Sequence, residues 1–137
     1  MAATVMASLH GYTGDPAWAR TVESALMAIA PLAAEHPTAF PQWLAAIARW
    51  GQPLDEVAIT GDTRDPRTVA LLEVLHDGLR PWQVVALALE PDASVIPLLH
   101  GRGGRAKPTA WVCHGGTCRL PVTDPVALRD QLRAKAA

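Results

Sequence analysis

Three times in this chain an aspartate stands directly before a proline, at Asp15-Pro16, Asp65-Pro66 and Asp124-Pro125. The carboxylate of such a pair accepts from the free N–H groups of a first helical turn, and the proline supplies a fixed φ where no hydrogen bond is needed. Helices are therefore expected to begin at all three points. From Asp15 onward, Trp18, Val22, Ala25, Leu26, Ile29, Leu32 and Ala33 recur every three or four residues, the spacing of one buried helical face. Pro31 falls near the end of that pattern, where a kink is expected. A further helix after Thr38 would bury Phe40, Trp43, Leu44, Ile47 and Trp50 and stop at Gly51, with Arg49 favourably placed at its carboxyl end. The two make a helical hairpin. Residues 4–10 read as the end of another helix, with Gly11-Tyr12-Thr13-Gly14 as its turn.

Past Gly51-Gln52-Pro53 the period changes from helix-helix to strand-helix-strand, which divides the chain into a helical hairpin region, residues 1–52, and a small α/β domain, residues 53–137. Val57-Ala58-Ile59-Thr60 reads as a strand, and the Asp65 helix would turn Val69, Leu72, Leu75 and Leu79 inward. The continuous apolar run Val84-Val85-Ala86-Leu87-Ala88-Leu89 is that of a strand covered on both faces, as in a parallel sheet. Residues 96–99 suggest a short helix, 101–107 a loop and 109–113 a third strand. A closing helix over 124–134 would bury Leu128 and Leu132. The expected fold is α/β: a short three-stranded, mainly parallel sheet with flanking helices and a carboxyl-terminal cysteine hairpin, preceded by an α-helical hairpin.

Both cysteines lie in Cys113-His114-Gly115-Gly116-Thr117-Cys118. A Gly-Gly pair between strand-like residues is a favoured two-residue loop, because both central positions can take φ > 0. That loop sets Cys113 opposite Cys118 in a close cross-strand pair, a geometry that permits a disulfide. A chain with a formal charge of −1 and no dense Lys/Arg run does not present the positive face that nucleic acid requires. Its apolar stretches are broken by Pro, Glu, His or Arg before the roughly 20 residues a membrane-spanning helix needs. The start lacks the positive region of a secretory signal, so a cytoplasmic setting is expected, where paired cysteines are commonly reduced. Three readings of Cys113 and Cys118 therefore stand: packed thiols, a structural or regulatory disulfide, and a redox dithiol activated by a basic neighbour such as Arg119.

Other chemistry is sparse. A zinc site would need Cys113 and Cys118 with His114 and His100, but adjacent strand residues point to opposite faces, so neither a metal nor a cofactor is expected. Arg102, Arg105 and Lys107 in a Gly-rich loop, with Asp62 just after the first strand, form a candidate ligand loop for a phosphate or acidic group. A solvated connector and a turn-capping aspartate are the plain alternatives. His10, His36 and His76 have no Ser, Cys or acidic pattern of a triad and are placed at helix ends, so no catalytic residue is assigned. Trp18, Trp43 and Trp50 exceed what a small isolated hairpin hides and are candidate interface residues.

The segments Lys107-Pro-Thr-Ala-Trp-Val-Cys113, Gly116-Thr-Cys118 and Pro121-Val-Thr-Asp-Pro125 resemble the carboxyl-terminal end of the bacterial thioredoxin-domain-containing proteins related to spermatogenesis-associated protein 20. Val57-Ala-Ile-Thr-Gly61, Arg80-Pro81, Pro97-Leu98-Leu99, Tyr12-Thr-Gly-Asp15 and His36-Pro-Thr-Ala39 extend the resemblance over nearly the whole chain. Trp111 replaces the usual Tyr, and Trp82-Gln83 the Asn-Lys that often follows Arg-Pro. The resemblance implies a longer protein with a thioredoxin-like domain, a toroid of helical hairpins and then this α/β tail. Nothing here matches the Cys-x-x-Cys of the thioredoxin-like part. The implied function is a non-catalytic accessory or terminal domain docking through an apolar helical face on a larger protein or a second copy. The alternatives are a small thiol-disulfide active protein using Cys113 and Cys118, and a ligand-binding α/β module.

Overall fold

Each Asp-Pro pair opens a helix in the computed structural model, which describes residues 2–103 and 106–134. Asp15 Oδ1 accepts from Ala17 N, Asp65 Oδ1 from Arg67 N and Asp124 Oδ2 from Ala127 N, each at 2.8 Å. The chain divides into two compact units, Met1–Pro53 and Leu54–Ala137.

The first unit holds α1 (Ala2–Thr13), α2 (Pro16–Glu35) and α3 (Pro41–Trp50). It is thus a three-helix unit rather than a hairpin with the end of a helix before it. The expected turn at Gly11 does not form: α1 runs through a buried Gly11 and stops only at Gly14, whose φ of 67° and N–H bond to His10 O at 2.7 Å make the helix cap. Ala3, Ala7, Val22, Leu26 and Ala46 form the buried cluster, with Met6, Trp43, Ile47 and Trp50 packed partly buried against it. Of the apolar face expected on α2 only Val22, Leu26 and Ala33 are buried, while Leu32 is exposed. Pro31 sits inside α2, which continues to Glu35.

The second unit holds β1 (Asp55–Thr60), α4 (Pro66–His76), β2 (Gln83–Ala88), β3 (Thr109–His114), β4 (Thr117–Cys118) and α5 (Pro125–Arg133). Its sheet has four strands in the order β2-β1-β3-β4. Only β1 and β2 are parallel; β3 runs antiparallel to β1, and β4 to β3. The sheet is therefore mixed and four-stranded, not three-stranded and mainly parallel. The cause lies between β2 and β3, where single 3-10 turns at Pro91–Ala93 and Pro97–Leu99 replace the crossover helix that a parallel neighbour requires. β3 starts at the end of the sheet where β1 and β2 finish, pairing Thr109 with Thr60, and can only run back. The apolar run of β2 consequently lies on an edge strand, with Leu89 just beyond it exposed.

Val57 and Ile59 of the central strand β1 are fully buried in a core with Leu71, Val74, Leu75, Ala110, Val112 and Leu128. The buried face of α4 is Thr68, Leu71, Val74 and Leu75. The expected face was rotated from this one: Val69 is exposed, and Leu79, 91% exposed, lies beyond the helix end. On the other side of the sheet the Pro97–Leu99 turn packs against β1 and β2 and buries Leu99 completely. Among the described residues no helix is long and apolar enough to cross a membrane.

Leu128 is the one buried residue of α5 and is wholly inaccessible. Leu128→Ala removes the anchor that holds α5 against α4 and β3, and a loss of about 2–5 kcal/mol is expected. Urea unfolding followed by far-UV circular dichroism measures it.

Candidate functional site

The Gly115-Gly116 loop forms as its composition dictates, with φ of 54° and 82° at the two glycines. It pairs His114 with Thr117 and Cys113 with Cys118, and the two cysteines are joined by a disulfide with Cα atoms 3.8 Å apart. The two cysteines differ in exposure. Cys113 is fully buried on β3, whereas Cys118 belongs to the exposed β4.

Side chains alternate along β3, so Cys113 lies on the sheet face opposite that of Val112 and His114. Register with β1 places Glu56 directly across from Cys113. The basic neighbour of the sulfurs is Arg102, not Arg119. Arg102 Nη2 lies 3.4 Å from Cys113 Sγ and 3.8 Å from Cys118 Sγ, while the Arg119 guanidinium donates to Ala134 O. Asp92 holds the loop that carries Arg102, its Oδ1 accepting from Gly101 N at 2.7 Å. Arg102 is half-buried; burial pushes its pKa below the ordinary guanidinium value, and the Glu56 carboxylate opposes that shift.

The other residues of the expected ligand loop go elsewhere. Asp62 and Lys107 line a cleft of about 200 Å³ beyond the carboxyl ends of β1 and β2, together with Thr60, Asp65 and Arg67. Arg105 lies outside the described residues. Asp62 also closes a turn by accepting from Arg64 N at 2.8 Å. Asp65 and Arg67 are a forked pair, with Arg67 Nη2 2.7 Å from Asp65 Oδ2, and the side-chain and backbone hydrogen bonds from Arg67 hold the Asp65 carboxyl below the ordinary carboxylate range.

His114 projects to the helical face, where its Nδ1 donates to Asp55 Oδ1 at 2.6 Å. This pair escapes a reading of the chain in order, because its members are 59 residues apart and are joined only by β1-β3 register. Glu56 escaped for the same reason. His100 Nε2 donates to Ser94 O at 2.7 Å, and among the described residues no three His, Cys, Asp or Glu side chains converge to hold a metal ion. His10, His36 and His76 lie at helix ends. In the helical unit Trp18, Trp43 and Trp50 are half-buried, and the Trp50 ring lies 6.0 Å from that of His10.

Over 129 residues the chain is 32% identical to spermatogenesis-associated protein 20 of Homo sapiens and 30% identical to that of Rattus norvegicus. These matches relate the chain to spermatogenesis-associated protein 20. They take in 90% of this chain but only 16% of either relative's length. No family model matches the chain, and no solved structure matches it. The sequence kinship to spermatogenesis-associated protein 20 thus includes the helical unit as well as the cysteine hairpin.

Because the folded-state pKa of Asp65 is depressed, its contribution to stability is present above the unfolded value and is lost as pH falls through the folded value. Arg67→Ala is expected to raise the Asp65 pKa toward the ordinary range, which a carboxyl-carbon NMR titration reads directly. Gly116 has open space around it, so Gly116→Ala probes backbone conformation alone. At its positive φ the cost is expected to be roughly 1–2 kcal/mol, seen as a lowered melting temperature.

Proposed function

We propose that this chain is a non-catalytic accessory or terminal segment of a larger, cytoplasmic protein, and that its three-helix unit docks against helices of that protein. The carrying observation is how little the helical unit buries. Its cluster consists of three alanines, Val22 and Leu26, and the 20-residue α2 hides only three side chains. Val5 is 57% exposed, Met27 77% and Leu32 44%. A unit of this size with so small a core is marginal by itself, and burying each large apolar side chain contributes about 1.5–3 kcal/mol. The 16% coverage of its relatives supports an occupant of the same origin, namely the helical remainder of such a longer chain. Under the family resemblance that remainder is a toroid of helical hairpins with a thioredoxin-like domain before it. Trp43 and Trp50, already packed in the unit's own cluster, act as its frame, and Met27, Leu32 and Val5 supply the new contact.

Co-expression with the helical remainder of a longer family member tests this. Native mass spectrometry is expected to show a one-to-one complex, weakened at least tenfold by Met27→Glu combined with Leu32→Glu. Absence of the complex, with the chain monomeric and the helical unit cooperatively folded by itself, would overturn the proposal.

A further inference from the structure

The disulfide is asymmetric in a way that packing alone does not require. Cys113 is sealed in the sheet, whereas Cys118 is an exposed residue of β4. A half-buried guanidinium stands beside both, closer to the sealed one, where a cation has lost much of its hydration and gains from a nearby anion. The anion already near it is Glu56, across from Cys113 on β1, and the neutral disulfide itself adds little. A thiolate on Cys113 would offer a full negative charge at the same place, and a basic neighbour lowers a thiol's pKa and so improves it as a leaving group. We propose that Cys118 is a site of reversible mixed-disulfide formation with a low-molecular-weight thiol, and that Arg102 positions and stabilises Cys113 as the leaving thiolate.

The step balances without a further reagent. The thiolate of the small molecule attacks Sγ of the exposed residue Cys118, a bond forms between the two sulfurs, and the Cys113–Cys118 bond breaks. Its electron pair remains on Cys113 beside Arg102. In the reverse step the Cys113 thiolate attacks Cys118 Sγ and expels the small thiolate, restoring the original bridge. The hairpin keeps the two cysteines paired across β3 and β4, so the return path is intramolecular. This inference rests on the sulfur environment alone and is independent of how the helical unit docks.

The test uses the full oxidised chain with excess glutathione under anaerobic conditions, acid quenching and peptide mapping by mass spectrometry. One glutathione on Cys118 and a free thiol at Cys113 are expected. Arg102→Met should slow the reaction about tenfold and Arg102→Lys much less, because the charge is what matters. Arg119→Met, which removes a guanidinium bound to Ala134 O instead, should leave the rate unchanged. Circular dichroism identifies any variant that has lost its fold, and the Lys variant then carries the comparison. An adduct on Cys113, no reaction at millimolar glutathione, or equal rates in native and folded Arg102→Met protein would each overturn the proposal.

Discussion

The antiparallel pairing of β3 on β1 is the constraint on which the α/β unit depends. β1 is the strand that both other long strands use, and Val57, Ala58 and Ile59 along it are wholly removed from solvent. A slip of one residue between β1 and β3 would exchange the two faces of β3, sending Cys113 to the helices and Val112 to the loops. Register prevents that slip because Ala110 and Val112 must join the core with Leu71, Val74 and Leu128. Two chemically notable juxtapositions follow from it. Glu56 meets Cys113 on one face, and Asp55 meets His114 on the other.

The two faces then acquire different characters. Below one lie α4 and α5 over an apolar core, with the His114–Asp55 pair at its margin. Over the other run the Pro97–Leu99 turn and the loop that Asp92 tethers through Gly101. That tether delivers Arg102 to the sulfurs, while Lys107, only five residues later, lines the cleft beyond the ends of the parallel strands with Asp62. One loop thus serves two places. The positively charged residues that look equivalent along the chain are separated by the path of the backbone.

The helical unit obeys a different logic. Its buried positions are mostly alanine, so its helices gain little apolar burial from one another. Large side chains that would ordinarily deepen a core, Met27 above all, remain in solvent. Trp43 and Trp50 partly compensate by packing against that cluster, Trp50 with its ring near His10.

Much of this was legible in the residues in order, because it depends on neighbours in sequence. The Asp-Pro caps, the Gly-Gly loop and the pairing of Cys113 with Cys118 all arise from dihedral preferences and hydrogen bonds spanning a few positions. Periodicity was a weaker guide: on α4 two staggered apolar sets that share Leu75 compete, contact with the sheet selected Leu71 and Val74 over Val69, and Leu79 falls beyond the helix end. Strand direction was beyond local reading, since an apolar run such as that of β2 is compatible with a covered central strand and with an edge. The sequence by itself therefore determined where the three Asp-Pro helices start, where the hairpin turns and which cysteines meet; α3, expected after Thr38, starts only at Pro41 behind a 3-10 turn. Tertiary structure alone decided that β3 runs antiparallel, that Arg102 rather than Arg119 attends the sulfurs, and that Asp55 meets His114. Those outcomes depend on register and chain path across some 11 to 59 residues, and no short-range preference encodes such distances.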